Sequence, residues 1–145
     1  MTIGIAEKKD IPELYKLECS CFSTPWSAAQ LDEELNIPDG FFALCRDGEN
    51  IVGYIIMRMA GDQGELFRIA AAAGYRRMGI GESLLKEGLK WLSEKNAESA
   101  FLEVRVGNTP AVGLYEKLGF EKLGIRKNYY THPTEDALIM VRKVI

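Results

Sequence analysis

Apolar positions along this chain switch between a spacing of two, which suits strands, and a spacing of three to four, which suits helices. Thr2–Ala6 reads as a short strand. A helix start follows at Asp10–Glu13, where Asp10 can cap, Pro12 is tolerated in the first turn and Glu13 can close a capping box. Leu14, Leu17 and Cys21 then fall at helical spacing, and Pro25 breaks the run. Ser27 and Gln30 form a second capping box, with Trp26 and Leu31 placed as its hydrophobic staple. Phe41–Cys45 and Ile51–Arg58 read as a hairpin around Asp47 and Gly48, and Glu65–Ala71 as a third strand after the turn at Gly61–Gly64.

The second half continues the alternation. After a loop over Ala72–Met78, one helix carries Ile80, Leu84, Leu85, Trp91 and Leu92 on a single face. Phe101–Arg105 is a strand. A short helix opens at Asn108–Pro110, where Asn108 or Thr109 can cap and proline suits the first helical position, and Gly119 ends it. Phe120–Gly124 and Ala137–Val144 are two last strands, connected by Tyr129–Glu135. The order β, α, α, β, β, β, α, β, α, β, β predicts an α/β protein with a mixed central sheet of about six or seven strands flanked by about four helices. No repeat or linker interrupts it, so 1–145 is expected to form a single domain.

Composition narrows the function classes. The chain has 145 residues, 47% of them hydrophobic and 27% charged, which is the profile of a globular protein with a real core. A net charge of −3 argues against a general nucleic-acid binder and leaves a cationic substrate open. The three cysteines, Cys19, Cys21 and Cys45, form no CxxC pair and have no histidine cluster beside them, so neither a disulfide framework nor a metal site is expected. No run approaches the length of a membrane span, and the start resembles no secretion signal, so a cytoplasmic location is the expectation.

The first chemical signal lies at Arg76–Gly81, between a strand and a helix. The first N–H groups of a helix lack internal partners, and the helix dipole adds partial positive charge there. Gly79 and Gly81 let a phosphate approach the backbone, and Arg76 and Arg77 bring formal charge, which together suit a pyrophosphate. A Rossmann loop is disfavoured, because Gly79-Ile80-Gly81-Glu82-Ser83-Leu84 lacks the third glycine. A P-loop needs a Gly-Lys-Ser/Thr ending, which is absent.

Arg76-x-x-Gly79-x-Gly81 resembles the signature of the GCN5-related N-acetyltransferases, the GNAT family. A longer match is similar to the bacterial ribosomal-protein-alanine N-acetyltransferases of the RimI type. It runs from Leu102-Glu103-Val104-Arg105 through Asn108, Ala111, Leu114 and Tyr115 to Gly119-Phe120. It is joined by Phe22-x-x-Pro25-Trp26-Ser27, Leu66-Phe67-x-Ile69-Ala70, Arg126-x-Asn128-Tyr129-Tyr130 and Glu135-Asp136-Ala137. This resemblance implies a GNAT fold and acetyl-CoA as cosubstrate, with no metal. It implies that Ile69, Ala70 and Ala71 hold the pantetheine arm and that Arg76, Arg77, Met78, Gly79, Ile80, Gly81 and Glu82 hold the pyrophosphate, with Asn108 adding a hydrogen bond. The implied partner is the N-terminal segment of a protein, ribosomal protein S18; nucleic acid and membrane are not expected partners, and a monomer is compatible with the sequence.

Acetyl transfer makes the remaining residue types intelligible. An amine must be neutral to attack a thioester, and an α-amine with a pKa near ~7.7–8.0 needs only a modest base. Glu103 is the candidate, directly or through a water, set against an ion pair with Arg105 or another cation. It shares a strand face with Phe101 and Arg105. By resemblance Tyr115 protonates the departing thiolate, although helical spacing would also make it a core residue. Tyr129 and Tyr130, read as loop aromatics, are expected to hold the substrate, with Trp26 on the opposite wall. Arg68 stands where close relatives carry asparagine and is expected to face substrate or cofactor. Ala70–Gly74 lacks the Asp and Pro that relatives carry near Ala72 and Ala73. Two other readings remain: the same chemistry on another amine, whether another N-terminus, a lysine or a polyamine, and a non-enzymatic acyl-CoA-binding module.

Overall fold

The structure, a computed structural model, describes residues 1–144; Ile145, the last residue of the expected domain, lies outside them. The strands are β1 (Thr2–Ile5), β2 (Gly40–Asp47), β3 (Asn50–Ala60), β4 (Gln63–Ala71), β5 (Ser99–Arg105), β6 (Glu121–Tyr130) and β7 (Glu135–Lys143). The helices are α1 (Ile11–Cys21), α2 (Ala28–Glu34), α3 (Ile80–Glu94) and α4 (Thr109–Lys117), with single 3-10 turns at Lys8–Asp10 and Ala73–Tyr75. All seven strands join one sheet in the order β1-β2-β3-β4-β5-β7-β6, in which only β4 and β5 run parallel.

β3 is buried on both faces, and its alternation serves two cores. Val52, Ile55 and Met57 pack with Leu84, Leu85 and Leu92 of α3. Ile51, Tyr54 and Ile56 pack with Leu14 and Leu17 of α1 and Leu31 of α2. The predicted capping box of α2 is present: Gln30 N–H donates to Ser27 Oγ at 3.1 Å and Ser27 N–H to Gln30 Oε1 at 2.8 Å. Trp26 and Leu31 join the same core, as a staple requires. Asn108, not Thr109, caps α4, accepting from the Ala111 N–H at 3.3 Å.

Two local expectations are corrected. Glu13 closes no capping box; its carboxylate accepts the Ile51 N–H at 2.7 Å. The Asp10 carboxylate instead receives the Glu7 N–H at 2.9 Å and the Arg46 guanidinium at 2.6 Å. Tyr129 and Tyr130 do not lie in a loop but end β6, which runs six residues past Gly124. That strand is exposed along nearly its whole length, so no burial alternation marks it, and pairing with β7 imposes its conformation.

The feature that positions the site is a bulge. Ile56 opposes Arg68 and Met57 opposes Leu66, so Phe67 is the extra residue in β4. A bulge bends the strand that carries it. Pairing of β4 with β5 stops at Leu66–Leu102, the position next to Phe67, although β4 continues to Ala71 and β5 to Arg105. The two strands splay apart there and open a cleft through the sheet.

Candidate active site

On the β4 side, the splay leaves backbone groups without a strand partner. Ala72 N–H bonds to Val52 O at 2.8 Å, so by ladder alternation Ala70 also points its backbone groups at β3, while those of Ile69 and Ala71 point into the split. The Ala71 carbonyl accepts only a long contact there, from Cys21 Sγ at 3.5 Å. An extended ligand can add to such an edge as an extra strand would. Of the three expected β4 contacts, two are therefore presented to the cleft and Ala70 is directed away.

Beyond β4, the chain reaches the glycine loop. Gly79 sits at φ +79° as the N-cap of α3, and a Cβ built there would meet nothing within 4 Å. The left-handed backbone favours glycine, and the open space around it leaves the helix start accessible. Gly81 is different: a Cβ there would lie 3.3 Å from Leu114 of α4, so its small size serves helix packing as well. Ile80 is buried in the core, which leaves its backbone N–H as its polar offering. Arg76, Arg77 and Met78 are exposed. The Glu82 carboxylate is held by Lys117 at 2.6 Å and Lys86 at 3.3 Å, which offsets a negative charge that would otherwise oppose an anion at this helix start.

The cleft itself encloses about 690 Å³ and collects side chains from both faces of the sheet. Trp26, Arg68, Glu103, Tyr129 and Tyr130 line it, as do Ile69, Asn108 and Tyr115. Arg76–Glu82 do not line it; they lie beyond its β4 end.

Glu103 ion-pairs with Arg126 at 3.4 Å rather than with Arg105, which pairs with Glu135 at 3.3 Å. That ion pair uses one Glu103 oxygen; Oε2 is buried and has no hydrogen-bond partner among the described residues. Tyr115 is buried against Phe120, edge to face at 5.9 Å between ring centroids. Burial, and then the neighbouring Tyr130, push its hydroxyl well above the ordinary tyrosine pKa, so it remains a proton donor across physiological pH. Tyr130 is pushed up to about 12, by burial first and then by Glu103. Tyr129 stacks edge to face on Tyr130 and lies under the Arg126 guanidinium, 5.2 Å from its ring centroid.

Arg68 is anchored rather than free. Its guanidinium donates to Glu18 at 2.7 Å and to the Thr24 carbonyl at 3.3 Å, and lies 4.0 Å from the Phe22 ring centroid and 4.9 Å from that of Trp26. Glu18 is fully buried and also accepts the Trp26 N–H at 2.8 Å and the Tyr54 hydroxyl. The Phe22–Trp26 wall of the cleft is thus built on one buried carboxylate. Sequence reasoning missed Glu18 and Glu65 and gave Phe22 and Phe67, quoted in its motifs, no role, although all four are tied to this cleft. Glu18 lies four residues after Leu14 on the apolar stripe of α1, which was the available signal.

A sheet split beside a helix start that offers free N–H groups, with a carboxylate and a protonated phenol in the gap, has the parts an acyltransferase needs. The chain belongs to the acetyltransferase (GNAT) family, whose model matches residues 11–120. Members of this family use acetyl-CoA as acyl donor. Among individual proteins, the chain is 36% identical over 146 residues to the ribosomal protein bS18-alanine N-acetyltransferase of Escherichia coli, covering 96% of this chain and 95% of that one. A Bacillus subtilis protein provisionally given the same name is 40% identical over 134 residues, 91% of this chain and 88% of its own length. The crystal structure of the E. coli ribosomal-protein-S18-alanine N-acetyltransferase superposes with a TM-score of 0.91 at 32% identity, covering 99% of this chain and 93% of that one.

Proposed function

We propose that this acetyltransferase transfers the acetyl group of acetyl-CoA to the N-terminal α-amine of a protein, and that its target is the N-terminal alanine of ribosomal protein bS18. The observation that carries the reading is the meeting of Glu103 and Tyr115 in one cleft beside the unpaired edge of β4. The relatives' names supply the target.

In this reading the pantetheine arm pairs with the Ile69 and Ala71 backbone, and the pyrophosphate rests on the α3 start at Gly79–Glu82 with Arg76 and Arg77 beside it. Asn108 holds the α4 end of the donor. Trp26 and Arg68 on one wall and Tyr129 and Tyr130 on the other hold the first residues of the peptide. Glu103 takes a proton from the α-ammonium, and the freed electron pair attacks the thioester carbonyl. The C–S bond then breaks, the Tyr115 hydroxyl protonates the departing thiolate, and the second proton leaving the nitrogen restores the Tyr115 hydroxyl, so the amide and the thiol are both released neutral. Glu103 Oε2, buried without a partner, supports its part as acceptor. The whole chain serves as one catalytic domain and works in the cytoplasm, where the free Cys19, Cys21 and Cys45 stay reduced.

The test is a peptide panel with acetyl-CoA, read by mass spectrometry and coenzyme A release. Acetylation is expected on the α-amine of the bS18 N-terminal peptide, in preference to peptides starting with other residues. Absence of product across the panel, or acetylation on lysine alone, overturns the reading.

A further inference from the structure

One carboxylate in the cleft has no assigned task. Glu65 lines it from β4. Glu65 lies opposite Phe101 of β5 in parallel register, and Glu103 stands two residues beyond Phe101 on the same strand face. The two carboxylates are therefore diagonal neighbours on one face of the sheet.

The charges acting on Glu65 are Glu103 of β5, Arg58 of β3 and Arg126 of β6, and none of them hydrogen-bonds to it. Both arginines are committed elsewhere. Arg58 makes a two-pronged contact with Glu34 and lies 4.4 Å from the Phe67 ring centroid. Arg126 pairs with Glu103 and lies over Tyr129. Burial, and then the like charge of Glu103, raise the proton affinity of Glu65 above that of an ordinary glutamate. Two carboxylates thus share a partly desolvated wall with one guanidinium between them. Such a wall is short of one positive charge, and the amine substrate arrives carrying one.

We propose that Glu65 is the ammonium-binding residue of this site, holding the α-ammonium of the incoming N-terminus beside Glu103. The inference rests on the N-terminal acetylation reading above. Glu65 pairs with the ammonium while Glu103 takes its proton: the N–H bond breaks, the nitrogen keeps the electron pair, and the neutral amine attacks. Glu65 contributes affinity and orientation, and Glu103 does the proton transfer.

The test uses the full chain, the bS18 N-terminal peptide, and a competitor identical to it except that hydrogen replaces the α-amine. Wild type is expected to bind the amine peptide about 10-fold or more tightly than the competitor, the value of a charge-assisted hydrogen bond. Glu65→Gln is expected to raise the peptide KM by about the same factor, with a much smaller change in kcat, and to erase the preference over the competitor. The acetyl-CoA KM should stay as it was. Glu65→Asp keeps the charge and is expected to keep most of the preference, which separates charge from packing if the Gln variant folds poorly. An unchanged peptide KM and an unchanged preference in Glu65→Gln overturn the proposal, as does a preference lost equally in Glu65→Asp. Failure of wild type to acetylate any N-terminal amine counts against the parent reading instead, so the two failures are distinguishable.

Discussion

At the residue scale, the division of labour between Glu103 and Tyr115 can be separated from packing. Glu103 has one ion pair, with an arginine whose side chain is 55% exposed, so replacing its charge removes little stability. Glu103→Gln is expected to lower kcat by roughly 10²–10⁴, the range typical of a lost general base, with the melting temperature nearly unchanged. Tyr115→Phe keeps the ring against Phe120 and removes only the hydroxyl, so it should lower kcat while leaving the melting temperature and acetyl-CoA affinity close to wild type. Normal turnover in both variants would falsify their assignment. Both residues were legible in the sequence because their spacing matches a family pattern. Glu65, Glu18 and the Arg126 partner of Glu103 were not, since each acquires its meaning from a neighbour on another element. A glutamate at one position of an alternating strand looks like a solvated face until the next strand is placed beside it.

The elements themselves were readable where local chemistry decides them. Ser27 with Gln30, Asn108 with Pro110, and Gly119 after α4 state their caps in their own residue types. The bulge at Phe67 carries no such mark, because it arises from how β4 must pass both β3 and β5. Nor did β6 reveal its full length, because exposed residues leave no burial pattern. Gly53 shows how tightly these elements meet. A Cβ there would come within 2.6 Å of Ile80, the first residue of α3, and within 2.9 Å of the Ala70 carbonyl on β4. One of these is backbone and the other opens the helix beside the glycine loop, so neither can yield freely. Gly53→Ala is expected to destabilise by about 1–3 kcal/mol, as overpacked cores do. At about 2–4 °C per kcal/mol for a chain near this size, a drop of several degrees should be seen in thermal melts. Because Ala70 lies between the cleft-facing Ile69 and Ala71 and Ile80 opens the helix of the glycine loop, shifts at these two residues should disturb the expected donor path, and the acetyl-CoA KM should rise more than the peptide KM. Equal changes in the two would detach Gly53 from the donor site.

On the scale of the whole molecule, strand order and register lay beyond sequence reading, since nothing local says that β5 inserts between β4 and β7. Yet that insertion creates the function. The sheet is joined across β4 and β5 by four paired positions, Gln63–Ser99 to Leu66–Leu102, and is open beyond them. In the proposed reading, an extended donor lying in the opening would replace the missing strand for β4 and meet α3 and α4 at its ends. The free protein should then show a particular asymmetry in amide exchange. The Ala70 N–H points at β3 and is protected in the ladder without ligand, whereas those of Ile69 and Ala71 face the split and should exchange rapidly. Saturating coenzyme A is expected to slow exchange at Ile69 and Ala71 and at the α3 start, Ile80–Glu82, with little change at Ala70. Ligand that merely stabilised the fold would slow the globally exchanging amides of β3 and leave no such pattern along β4. Protection confined to the glycine loop would mean that the phosphate cradle alone binds and that the β4 edge takes no part.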